Sequence, residues 1–187
     1  VMKFGGTPVE SATAIDRVAR IVKARLHERP AVVVSAMSKF TDQLLAMANA
    51  AGAGSREKAL QLSLAARERH YNAVTELLAA ASFTDLHKEL EADFNGLDDL
   101  LRGISAVGEL TPRTTDNVLS FGERVNAKIV AAAFEARGIR SKRVNSRQVI
   151  ITDNRFTKAV PLFDEIDDRL KEIVKPALEE GFVPVMG

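Results

Sequence analysis

The first 35 residues alternate in a way that few folds accommodate. An apolar run, Val1 to Phe4, meets the turn Gly5-Gly6-Thr7-Pro8, and apolar residues then recur at Val9, Ala12, Ile15, Val18, Ala19, Val22 and Leu26. Spacings of three and four mark one face of a helix. Thr7-Pro8-Val9-Glu10 reads as a capping box, with Thr7 as N-cap, Pro8 at the first helical position and Glu10 three residues after the cap. Pro30 closes the helix. Ala31-Val32-Val33-Val34-Ser35 is then the continuous β-branched run expected of a parallel strand buried on both faces. Strand, glycine turn, helix and strand make a βαβ unit, which favours an α/β fold on a parallel sheet.

The pattern turns helical again from Ser38 through Leu44, Leu45, Met47 and Ala48, and Gly52-Ala53-Gly54-Ser55 interrupts it as a linker. Two long stretches, about Arg56 to Ala81 and Thr84 to Arg102, are rich in Ala, Leu, Glu, Arg and Lys, and predict a helical insertion or layer. Thr111-Pro112 opens one more helix, with a stripe at Val118, Val125, Ile129, Ala132 and Ala136, and Gly138 placed as its C-cap. Short strands are expected at Lys142 to Val144 and Val149 to Thr152, a helix at about Pro161 to Glu180, and a closing strand at Phe182 to Met186. With 187 residues, 46% hydrophobic and 27% charged, the chain has the composition of a globular domain able to bury roughly 70% of its unfolded surface. It has no cysteine, which excludes disulfides and thiolate zinc sites. A formal charge of +1 lacks the basic excess of a nucleic-acid binder. No apolar run approaches the roughly 20 residues that span a bilayer. A cytoplasmic protein is the default expectation. Because domains seldom begin and end flush with buried strands, the chain is expected to be part of a longer one.

Three segments could carry chemistry. In Lys3-Phe4-Gly5-Gly6-Thr7, a lysine at the end of a strand, two glycines and a helix N-terminus together suit a phosphate; a plain strand-to-helix turn with a solvated lysine fits the same spacing. No G-x-x-x-x-G-K-[ST] or G-x-G-x-x-G motif is present. Ser35-Ala36-Met37-Ser38-Lys39-Phe40-Thr41-Asp42 lies at the carboxyl end of the second strand, where open parallel sheets bind ligands; Ser38 could equally be only an N-cap. In Ser120-Phe121-Gly122-Glu123-Arg124, Gly122 interrupts a helical pattern, which implies close packing or binding. Glu123 at the stripe edge needs a cationic partner, either Arg124, Lys128 or a ligand ammonium. His27, His70 and His87 lie apart in charged stretches and read as solvated, so no metal site is expected. Asp164-Glu165 and Asp167-Asp168 read as helix surface.

In combination these segments resemble the aspartate kinases of the amino-acid kinase family. The family's order is kept by K-F-G-G-T at Lys3 to Thr7, V-V-V-S-A-M-S-K-F-T at Val32 to Thr41, S-F-G-E-R at Ser120 to Arg124, I-I-T-D-N-R-F at Ile150 to Phe156, and V-P-V-M-G at Val183 to Gly187. The resemblance implies a three-layer αβα fold with a mostly parallel sheet and a helical insertion at about 55–110. It implies phosphoryl transfer from ATP to the side-chain carboxylate of L-aspartate, giving 4-phospho-L-aspartate in lysine, threonine and methionine biosynthesis. Lys3, Phe4, Gly5, Gly6 and Thr7 would meet the ATP phosphates, with Lys3 catalytic; Ser35, Thr41 and Glu123 would form the aspartate site. Mg²⁺ would be held mainly by the nucleotide phosphates, and the full protein would be a homodimer.

Two departures stand out. Pro8 replaces a small residue usual in the family, and the later G-R-G-G-S-D-type loop, the adenosine segment and the regulatory module lie outside these residues. Residues 1–187 are therefore expected to be the substrate-side portion of the catalytic domain. Another carboxylate or carbamate kinase of the family, or a non-catalytic phosphate-binding or interaction module, stays open as an alternative.

Overall fold

The computed structural model of the protein describes residues 1–78 and 80–187. Its strands are β1 (Met2–Phe4), β2 (Val32–Val34), β3 (Ser141–Arg143) and β4 (Val183–Met186). All pair in parallel in the order β1-β2-β4-β3, with Phe4 beside Val34, Val32 beside Val185, and Ser141 beside Val183. Parallel neighbours require a crossover, and α1 (Ala12–Ala24) supplies the one between β1 and β2. The predicted βαβ unit is present.

Alternation along β2 and β4 divides the sheet into two apolar faces. Val32, Val34, Val183 and Val185 join the main core, along with Ile15, Val18 and Val22 of α1 and Val125, Ile129 and Phe134 of α6 (Phe121–Ala136). Val33 and Met186 point the other way, into a smaller cluster with Val144, Val149 and Val174. That second layer comprises α7 (Ser146–Val149), α8 (Phe163–Arg169), a π-helical turn (Leu170–Val174) and α9 (Lys175–Glu179). Each fully buried Val contributes roughly 1.5–3 kcal/mol, so both faces hold the sheet. The three-layer αβα arrangement is the one expected. Beyond α6 lie α2 (Phe40–Gly52), α3 (Arg56–Leu77) and α4 (Ala80–Val107), packed on one another, with α4 also against α6. α3 and α4 form the predicted helical insertion.

Several boundaries differ from the expectations. Thr7 does not cap α1: residues Thr7–Val9 form a 3-10 turn in which Val9 N–H donates to Gly6 O, and the cap is Ser11, whose Oγ accepts from Ala14 N at 3.3 Å. The turn draws Val9 wholly into the core, and the helix starts only beyond it. The expected first insertion helix, Arg56 to Ala81, ends at Leu77, with Leu78 extended; position 79 within that expectation lies outside the described residues. The next helix runs past Arg102 because its buried stripe Leu90, Phe94, Leu97 and Leu101 continues to Ile104. The helix opens at Thr111-Pro112 as predicted, with Thr111 Oγ1 accepting from Thr114 N, but it is two helices, α5 (Pro112–Leu119) and α6, separated at Ser120.

The expected strand Val149 to Thr152 is mostly absent. Asn145 Oδ1 accepts from Arg147 N and starts the short α7, leaving Thr152 in a lone antiparallel bridge to Pro161. The helix expected from Pro161 starts at Phe163 and widens into the π turn ahead of Pro176, whose ring cannot be accommodated in regular α-helical hydrogen bonding. Asp164, Glu165, Asp167 and Asp168 are exposed, as expected. Among the described residues no helix is long and apolar enough to cross a membrane.

His70 overturns its expected solvation. It is wholly buried on α3, 4.4 Å from Phe40 and 5.5 Å from Phe94 between ring centroids, with Nδ1 2.7 Å from Ala66 O. His87 is half-buried and stacks on Tyr71; of the three, only His27 is exposed. Burial pushes His70 down from its ordinary 6.5 to about 4, with the Ala66 carbonyl opposing and Arg69 reinforcing the shift. The folded state thus prefers the neutral ring. This stability is complete above about pH 6.5 and is lost as pH falls toward about 4, in all about 3 kcal/mol. Urea denaturation at pH 7 and pH 4.5 is expected to show a loss in the wild type that exceeds the loss in His70→Gln by roughly 2 kcal/mol. Equal losses would contradict the assignment.

Candidate functional site

The carboxyl ends of β1, β2 and β4 converge. Ser35 N–H donates to Phe4 O at 3.0 Å, which extends the β1–β2 pairing one residue beyond the strands. The chains then separate into the Gly5-Gly6 turn and the Ser35–Ser38 turn. Gly6 lies so close to the second turn that a Cβ there would sit 3.1 Å from Ala36 O and 3.3 Å from Ser38 Cα. Those are backbone atoms with little room to move, so the close approach favours glycine.

The Ser35–Ser38 turn is anchored below and gripped from the side. Ala36 and Met37 are buried, Phe40 N–H donates to Met37 O, and Lys39 adopts a left-handed conformation (φ 65°) before α2 begins. Ser38 is not the N-cap; Lys39 holds that position and makes no side-chain cap bond. Arg69 of α3 donates to Ser38 O at 2.8 Å, which ties the helical insertion to this turn. From α6, Glu123 Oε1 accepts from Ala36 N at 3.3 Å and Asn126 Nδ2 donates to Ser35 O at 2.5 Å. Gly122 makes the approach possible, since a Cβ on it would fall 2.8 Å from Ala36 Cβ. The packing expected around Gly122 is therefore present. At the end of β4, Gly187 lies against the Glu123 backbone, and its N–H donates to Ser146 Oγ at 3.2 Å.

Gly5, Gly6, Ser35 and Glu123 are thus brought together. Phe4 is half-buried just behind them, whereas Lys3, Thr7 and Thr41 are exposed. Lys3 is the middle residue of β1, not its last, and its register with Val33 puts it on the face opposite the main core. Thr41 stands in the first turn of α2.

The cations considered for Glu123 are engaged elsewhere. Asp93 of α4 takes Lys128 at 2.5 Å and Arg124 at 3.4 Å, and Arg124 also lies over the Phe121 ring. Burial pushes the Arg124 guanidinium below its ordinary value; Asp93 opposes the shift and Arg147 adds to it. In place of a cation, Glu123 has a backbone N–H. Asn126 and Arg69 were not singled out from the sequence. Asn126 could have been, because a polar residue three positions after Glu123 shares its helix face. Among the described residues no three Asp, Glu, His or Cys side chains are grouped to hold a metal ion, so these residues do not fit an all-protein Mg²⁺ site.

The amino acid kinase family pattern matches residues 1–187. The chain belongs to this family. It is 35% identical over 190 aligned positions to the chloroplastic aspartokinase 2 of Arabidopsis thaliana, covering 100% of this chain and 34% of the relative. It is 30% identical to the chloroplastic bifunctional aspartokinase/homoserine dehydrogenase 2 of Zea mays, over 92% of this chain and 19% of that protein. E. coli aspartokinase III, solved with aspartate and ADP, superposes with a TM-score of 0.86 at 26% identity, over 98% of this chain and 39% of that one. The fold is that of the aspartokinases. The chain spans about a third of the length of the aspartokinase 2 relative.

The close contact at Gly122 generates a test. In Gly122→Ala, two Cβ atoms without rotatable bonds would meet, forcing α6 and the Ser35–Ser38 turn apart. A loss of about 1–3 kcal/mol in urea denaturation is expected, together with faster hydrogen exchange at the Ala36 amide. An unchanged midpoint would contradict the packing described.

Proposed function

We propose that residues 1–187 form the substrate-side part of an aspartate kinase, which transfers the γ-phosphoryl group of ATP to the side-chain carboxylate of L-aspartate. One observation carries the reading: Glu123 and the Gly5-Gly6 turn converge on the Ser35–Ser38 turn at the carboxyl ends of parallel strands. The similarity to aspartokinases, one of them solved with aspartate and ADP, supports it.

The chemistry asks little of the side chains. An aspartate carboxylate is already an ionised nucleophile, so no general base is needed. The task is to bring two anions together in line and to stabilise the charge on the transferring group. In this proposal Gly5, Gly6 and Thr7 present backbone N–H groups to the phosphates, with Phe4 backing the turn. Lys3 adds a positive charge from the neighbouring strand position. Ser35 and Thr41 offer hydroxyls to aspartate. Glu123 keeps Ala36 N–H on one oxygen and offers its negative charge to the substrate α-ammonium. Mg²⁺ is proposed to arrive on the nucleotide phosphates.

Glu123→Gln separates charge from structure, because a glutamine carbonyl can still accept from Ala36 N–H. A lost charge-assisted bond of about 1.5–3 kcal/mol corresponds to an aspartate KM raised roughly 10- to 100-fold, with the ATP KM little changed. An unchanged aspartate KM would remove Glu123 from the substrate site. In an aspartate-dependent hydroxamate assay, the whole protein that carries these residues is expected to be active and the 187-residue chain alone to show little or no turnover. No activity in either would sink the kinase reading.

A further inference from the structure

Ser35 O and Ala36 N–H are the two polar ends of one peptide unit. α6 holds both: Asn126 Nδ2 donates to the oxygen at 2.5 Å, and Glu123 Oε1 accepts from the N–H at 3.3 Å. In a trans peptide these groups point in opposite directions. Side chains one helical turn apart on a single face are spaced to reach both. Ser35 is also held through its own N–H by Phe4 O at 3.0 Å.

We infer that Asn126 is a positioning residue for aspartate binding, acting with Glu123 as a clamp that fixes the orientation of the Ser35–Ala36 peptide. The inference rests on the aspartate kinase reading above. A flip of this peptide would turn its carbonyl toward the Glu123 carboxylate, which can only accept, and would break the bond that Asn126 Nδ2 makes to Ser35 O. The clamp therefore admits one orientation. That orientation sets where the Ser35 side chain stands and keeps Glu123 beside it with an oxygen to spare.

The burial of Asn126 argues for a role beyond packing. It is wholly buried in α6 between Val125 and Ala127, and among the described residues its Oδ1 has no hydrogen-bond partner. An unsatisfied buried carbonyl is destabilising, and an apolar residue of the same size would avoid it. The polar residue is explained by the bond its other end makes to Ser35.

The test uses the whole protein, with Asn126→Leu as the near-isosteric apolar variant and Asn126→Ala as a second should Leu not fold. The aspartate KM is expected to rise about tenfold or more, with the ATP KM within twofold and kcat within threefold of wild type. Hydrogen exchange at the Ala36 amide is expected to quicken in the folded variant. Ile129→Val, a core change one turn further along α6, controls for loss of packing and is expected to leave both KM values unchanged. An aspartate KM within twofold of wild type in a folded variant overturns the inference, as does an equal rise in the ATP KM. If the unaltered protein shows no aspartate-dependent turnover, the kinase reading and this inference fall together. If it turns over normally and only the Asn126 variants fail to respond, the inference alone falls.

Discussion

Everything in this molecule depends on covering both faces of a small parallel sheet. The central strands β2 and β4 are short, three and four residues, and cannot be stable as an open ribbon in water. Val32, Val34, Val183 and Val185 require an apolar layer on one side, and Val33 and Met186 require another on the opposite side. Parallel pairing forces each connection to cross back over a face, so the crossovers supply those layers. The same geometry gathers the carboxyl ends of β1, β2 and β4 on one rim. The candidate site is thus a consequence of the sheet direction before any individual side chain is considered.

α6 links the core to that rim. Its apolar face, Val125, Ile129, Val130 and Phe134, is buried as part of the main core. Its first two turns carry Gly122, Glu123 and Asn126 onto the Ser35–Ala36 peptide. The depth at which α6 packs and the position of the turn are therefore coupled, because Gly122 leaves no slack against Ala36. The helical insertion adds an independent hold: Arg69 reaches Ser38 O, and Asp93 of α4 gathers Arg124 and Lys128. With those cations tied to α4, Glu123 makes no ion pair with an arginine or lysine among the described residues. In the proposed site, an unpaired carboxylate at this rim would favour a cationic group on the substrate.

What was legible in the sequence was what periodicity controls. The βαβ unit, the buried β-branched strand, the closing strand and the insertion all follow from continuous apolar runs or from apolar residues at helical spacing, and all are present. What was misread is governed by short-range hydrogen bonds that compete with pattern. Thr7 matched a capping box, yet burial of Val9 made a 3-10 turn and passed the cap to Ser11. Val149 to Thr152 looked like a strand, yet Asn145 started a helical turn first. Tertiary burial also escaped detection. His70 stands in a stretch full of charges but faces Phe40 and Phe94, a fact no local pattern encodes. In the site, Gly6, Ser35 and Glu123 were found as motifs. Asn126 and Arg69 were not: Asn126 had only its spacing from Glu123 to mark it, and the contact of Arg69 with Ser38 O exists only once α3 is folded against the second turn.

Pro8 shows how the two sides of the rim divide their work. The lack of a proline N–H costs nothing here, since Pro8 occupies an early position of the 3-10 turn, where N–H groups have no intrahelical acceptor. The next two donors, Val9 N–H and Glu10 N–H, are already turned inward to Gly6 O and Thr7 O. Backbone donors for an anion on this side must therefore come from before Pro8, from Gly5, Gly6 and Thr7, the stretch that also abuts the Ser35–Ser38 turn. In the proposed site the glycine side, an open arc of main-chain donors, would suit phosphates that arrive with their own geometry. The serine side, a peptide held at both ends, would suit a small substrate kept in one pose. Gly6 is where the two sides touch.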